Sequence, residues 1–202
     1  MFFAYLLIIG GCNQNDDMKG LDETRNDNVT GEMIIKIDHR HTARHPFPLL
    51  INDTVRLTNG SFKVNRLDLQ INSVCLTDLS GDVWCDTDQN VISRLQNNQE
   101  VHLTIKSIPR GEYRSISLQF GALDNEDDCF LQVELRSENN FHNCARGSVE
   151  LETDWVEPLY VSPQATPAVH YYFFVADFLN ENQHTDTPMH FERHFTFDHI
   201  HN

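Results

Sequence analysis

A two-residue alternation of apolar and polar side chains, carried across a Pro-x-Gly turn, constrains this chain more than any other feature. Val101-His-Leu-Thr-Ile105 alternates, and Ile116-Ser-Leu-Gln-Phe120 alternates again. Between them Ile108-Pro-Arg-Gly-Glu112 supplies a proline that fixes φ and a glycine that tolerates an open backbone. A period of two sends successive side chains to opposite faces, so each segment reads as a strand with one face in a core. The pair is expected to be two strands joined across Lys106–Glu112, within a sheet that the rest of the chain fills.

The remaining sequence supplies such strands. Met33, Ile35, Ile37, His39 and His41 share one face of an early segment. Val55-Arg-Leu-Thr58 is followed by Asn59-Gly60, a strong hairpin turn signal. Leu67, Leu69 and Ile71 alternate with Asp68, Gln70 and Asn72, and phase breaks at Asn65-Arg66 and Asn72-Ser73 predict a bulge at each. Val91–Leu95 reads as a strand or a single helical turn. Ser148–Trp155 alternates, Val169–Phe178 reads as a buried strand, Asn180–Pro188 as polar loop, and Phe191, Phe195 and Phe197 as one face of a last strand. No solenoid-length repeat and no long amphipathic helix occurs. The expected fold is all-β, an antiparallel β-sandwich or partly closed barrel stapled by disulfides. With 202 residues, 40% of them hydrophobic, a single domain over 31–202 can bury a substantial core. The net charge of -15 argues against nucleic acid as a partner, because nothing offsets phosphate repulsion.

Met1–Ile9 is almost wholly apolar and leads into Gly10-Gly11-Cys12. The run is too short to span a bilayer and fits the apolar core of an export signal. Ile-Gly-Gly-Cys resembles a bacterial lipobox. That predicts a signal peptide over 1–11, lipidation of Cys12 and a flexible tether over 12–30, holding the domain on the periplasmic or surface side of a bacterial, outer, membrane. No Lys or Arg precedes the apolar run, as a signal usually requires. Export changes how Cys75, Cys85, Cys129 and Cys144 are read, since an even number of exported cysteines suggests disulfides. The turn-like Asp78–Asp82 places Cys75 opposite Cys85 in a hairpin, and Ser137–Asn140 returns the chain from Cys129 towards Cys144. The expected bridges are Cys75–Cys85 and Cys129–Cys144. Zinc is the rival, but no Cys-x-x-Cys spacing supports it.

Three constellations could carry chemistry. His39 and His41, at i and i+2 on a strand face, point the same way, and His45 lies close behind; imidazoles so arranged suit copper or zinc. His190, His194, His199 and His201, with Glu192 and Asp198, form a second candidate metal cluster. Asp124–Asp128 crowds oxygen ligands on a turn, without the spacing of a calcium loop. No nucleophile elbow, His-Glu-x-x-His or phosphate loop is present, so an enzyme is not expected.

An ordered set of short pieces adds a family resemblance: Ile37-Asp38-His39, Pro48-Leu49, Gly60-Ser-Phe-Lys-Val64, Leu67, Ser73-Val-Cys-Leu76, Gly81, and Ile108-Pro-x-Gly-x-Tyr113. Over roughly residues 33–125 the chain resembles the MbnP-like family of exported bacterial copper-binding proteins, often lipoproteins, often encoded beside a di-haem peroxidase. The resemblance implies copper handling without turnover, His39 as the matching strand-end histidine, and a di-haem peroxidase-type partner. The family's Trp-rich motif is absent; its place reads Leu123–Phe130. The alternative is a surface interaction or carbohydrate-contacting sandwich that presents Trp84 and Trp155 from loops.

Overall fold

The computed structural model describes residues 29–87, 91–94, 101–121, 129–136, 141–182 and 190–201. Two sheets pack face to face. The smaller is four-stranded, ordered β12-β11-β1-β6. Its members are β1 (Thr30–Arg40), β6 (Val101–Pro109), β11 (Ala168–Phe174) and β12 (Phe195–His201). The larger has eight strands along the path β10-β7-β3-β8-β9, with β2, β4 and β5 also on β3. They are β2 (Thr54–Leu57), β3 (Gly60–Asp78), β4 (Val83–Asp86), β5 (Val91–Arg94), β7 (Gly111–Phe120), β8 (Cys129–Arg136), β9 (Phe141–Arg146) and β10 (Val149–Val161). This is the expected sandwich, and among the described residues neither sheet closes into a barrel.

The larger sheet is built on the 19 residues of β3. One edge of β3 holds β7 against Ile71–Asp78 and β8 against Lys63–Leu69. Both run antiparallel to β3, so β8 resumes the line that β7 leaves at Phe120. β10 and β9 repeat the pattern one place further out, pairing β7 and β8 in turn. On the other edge β4 and β5 follow each other along Val74–Thr77 and Asp68–Ile71. Register shifts fall between Val64 and Arg66 and between Ile71 and Ser73, the positions where the apolar phase breaks.

The Pro-x-Gly turn has a different role from the one expected. β6 pairs with β1 in the smaller sheet, whereas β7 pairs with β3 and β10 in the larger one. Arg110 alone separates the two strands, so the turn is a corner between sheets. Pro109 has no N–H to donate to a ladder. The Tyr113 hydroxyl donates to the Pro109 carbonyl at 2.6 Å and ties the corner.

Two further expectations change. The run Val169–Phe178 stops being a strand at Phe174, and Val175–Glu181 forms a short helix, α1. Phe191 lies in a 3₁₀ turn, Phe191–His194, ahead of the last strand. Both segments bury aromatic rings against the core. Phe191 meets Phe120, Phe130, Phe173, Phe178 and Phe195 at centroid distances of 5.0–5.7 Å. Both disulfides join the expected cysteines: Cys75 with Cys85, and Cys129 with Cys144.

Candidate functional site

β1 continues its inward face from Met33, Ile35 and Ile37 to His39, which is 6% exposed. Its parallel partner in the ladder is Phe173, whose ring stands edge-on at a centroid distance of 6.1 Å. The His39 carbonyl accepts from Leu49 N–H at 2.8 Å, holding the following loop against the strand. Nε2 of the ring is buried and meets no hydrogen-bond partner among the described residues. Burial disfavours the imidazolium and lowers the pKa to about 4, against the opposing pull of Asp38. His39 is thus a neutral imidazole with an unengaged buried nitrogen.

Its two proposed companions do not join it. His41 is half-buried, with Nε2 3.5 Å from Asp53 Oδ2. The loop then folds outward: His41 N–H donates to the Phe47 carbonyl, and His45 N–H to the Thr42 carbonyl and hydroxyl. His45 is exposed. The strand ends at Arg40, so the i, i+2 spacing of His39 and His41 no longer fixes a common direction.

The second cluster is also divided. His194 is buried in the 3₁₀ turn, edge-on to Phe178, with Nε2 2.9 Å from Glu181 Oε2. Burial lowers its pKa, partly offset by Glu181 and Asp177. His190 is exposed, with Nδ1 3.8 Å from Glu192 Oε1. His199 and His201 pair through their backbones with His170 and Ala168; their side chains lie outside the described residues. Asp124–Asp128, the Cys12 lipobox and the tether through Asn28 also lie outside them. Among the described residues, no three His, Cys, Asp or Glu side chains converge as a metal shell requires.

The structure assembles a different polar group on the outer face of the smaller sheet. His170 Nε2 lies 3.3 Å from Asp38 Oδ2, and its Nδ1 lies 3.6 Å from Asp198 Oδ2. Arg40 donates to Asp38 at 2.6 Å and stacks over the Tyr172 ring at 4.5 Å. Tyr172 donates to Asp198 at 2.7 Å, and that bond, with burial, raises its pKa. The network ties β1, β11 and β12 together with charge-assisted contacts. His170 is hidden in the sequence because it sits inside the most apolar late run. The available signal was the alternation itself, which turns His170 and Tyr172 away from Tyr171 and Phe173.

Of the tryptophans offered for stacking, Trp155 is buried in β10 and its Nε1 meets no partner among the described residues. Trp84 lies in β4 and packs against the core. Neither stands on a loop.

No family model matches the sequence, and no curated protein matches it. Among solved structures, MbnP from Methylosinus trichosporium follows a similar course. The two chains align with a TM-score of 0.46 and 9% identity, over 73% of this chain and 78% of that one. A likeness at this distance transfers no ligand, partner or residue role.

Proposed function

We propose that this chain is an exported, membrane-tethered β-sandwich that binds copper on histidine and handles the ion without catalytic turnover. The observation that carries the reading is His39. It is a buried imidazole kept neutral by its surroundings, with Nε2 unengaged among the described residues. Neutral imidazole is the form that ligates metal. His39 is also the residue that matches the strand-end histidine in the MbnP-like resemblance. The described residues supply this one ligand and no complete shell. Export is supported by two formed disulfides, which persist in oxidising compartments. The tether through lipidated Cys12 and a di-haem peroxidase-type partner belong to the same proposal.

The test is uptake of Cu(I) and Cu(II) by the purified protein at micromolar concentrations. His39→Ala is expected to weaken binding about tenfold or more, since even losses in the shell behind the ligands cost that much. His142→Ala, on the exposed side of β9, is the control and leaves binding unchanged. Equal affinity in wild type and His39→Ala would move the site to the C-terminal histidines or remove copper altogether. An ordinary histidine site weakens below about pH 6. Because His39 titrates at about 4, its share of the affinity should persist well below pH 6.

A further inference from the structure

Cys75 and Cys85 stand directly opposite each other in the β3–β4 register, with Cα atoms 4.1 Å apart. Their neighbours Val74 and Leu76 are fully buried, so the alternation sends both sulfurs to the outer face of the larger sheet. Cys85 is exposed and Cys75 is half-buried. The hairpin does not depend on the bridge for its shape. Its ladder runs from Val74↔Asp86 to Thr77↔Val83, and β7 holds the other edge of β3. Trp84 anchors β4 to the core. At the tip, Asp78 Oδ1 accepts from Ser80 and Asp82 N–H, and Asp78 N–H donates to the Asp82 carbonyl. The second bridge differs: Cys129 lies opposite Arg146, and Cys144 lies opposite Gln132. It joins positions that are not register partners, and both of its cysteines are half-buried.

We propose that Cys75–Cys85 is a reducible bridge whose opening creates a two-thiolate site for a soft monovalent metal, Cu(I) foremost. The reductant is a dithiol, protein or small molecule. One of its thiolates attacks the exposed Cys85 sulfur, the Cys75–Cys85 bond breaks, and Cys75 leaves as a thiolate. The second thiol of the reductant resolves the mixed disulfide. The reductant ends as a disulfide, two electrons pass to the protein, and both cysteines can take up protons. The β ladder then holds two thiols opposite each other on an open face. Paired thiolates select soft ions such as Cu(I) over harder divalent ions. This site is separate from His39 and independent of the copper reading above.

The experiment is graded reduction of the whole protein with dithiothreitol and removal of the reductant, after which separate portions are taken for alkylation mapping, for circular dichroism and, unalkylated, for titration with Cu(I). Cys75 and Cys85 should be alkylated first, with Cys129–Cys144 intact and the β-sheet spectrum unchanged. The partly reduced protein should bind one more equivalent of Cu(I) than the oxidised protein. That gain should persist in His39→Ala and vanish in the double variant Cys75→Ser/Cys85→Ser. Earlier or simultaneous reduction of Cys129–Cys144, unfolding on reduction, or no added Cu(I) would each overturn the proposal. The order of alkylation is read on the wild-type chain, so the test stands even if the double variant does not fold.

Discussion

His39 carries a penalty that Met33, Ile35 and Ile37 on the same face of β1 do not. Its imidazole gives up water, and its Nε2 receives no hydrogen bond from the described residues in return. Unfolded, the ring titrates at about 6.5; folded, at about 4. Between those values the unfolded chain holds more protons, so stability falls as pH drops from 6.5 and this loss is complete below 4. At 1.36 kcal/mol per pH unit the contribution is about 3 kcal/mol. We predict that His39→Leu unfolds in urea with a weaker acid dependence between pH 7 and 4 than wild type, by about that amount. Parallel curves for the two proteins would show that His39 is not held neutral. Sequence alone placed His39 on the inward face, because the alternation from Met33 is unbroken. It could not show the surroundings of the ring, which depend on Phe173 arriving from the far end of the chain. The strand spacing that links His39 to His41 does not extend past Arg40, where β1 ends, and it says nothing of His45.

The elements most legible in the sequence are those whose signal is local. The Cys75–Cys85 and Cys129–Cys144 hairpins follow from turn residues flanked by strands, and the β3 bulges from phase breaks in one segment. The corner at Pro109–Gly111 reads in the sequence as a turn but not as a change of sheet, since alternation is the same on either side. The continuation of β7 into β8, and of β9 into β10, was not legible, because it depends on which part of β3 each half finds. The two lines break side by side at Gly121 and Gly147, with φ of 79° and 92°. A Cβ on Gly121 would lie 2.0 Å from the Gly147 carbonyl oxygen, whereas one on Gly147 would meet nothing within 4 Å. Gly147→Ala should therefore cost only backbone strain, about 1–2 kcal/mol. Gly121→Ala adds displacement of a neighbouring backbone and should cost about 3 kcal/mol or more. Urea midpoints of the two variants check the ordering, and equal losses would mean that the rows do not meet there.

At the scale of the whole molecule, the chain closes on itself through the parallel pairing of β1 with β11, which places Ile34–Arg40 beside Ala168–Phe174. Nothing local marks that pairing, and it creates the surroundings of both His39 and His170. The two sheets are then locked by an aromatic cluster that draws rings from both. Phe120 comes from β7, Phe130 from β8, Phe173 from β11, Phe178 from α1 and Phe195 from β12, and the ring of Phe191 touches all five. Phe191 is fully buried although it lies on a short 3₁₀ turn. Its burial belongs to the interior between the sheets, not to a strand of its own. Truncation should remove the ring's transfer free energy and leave a cavity in contact with both layers. Phe191→Ala is predicted to cost about 3–5 kcal/mol. Both sheets should lose stability together, because the ring belongs to neither alone. Phe47→Ala, at a side chain 69% exposed, should change stability by no more than about 0.5 kcal/mol. Hydrogen exchange followed separately in β3 and β11 reads the difference. A loss of protection in β11 with β3 unchanged would show that the smaller sheet opens independently and that Phe191 is not the link between the layers.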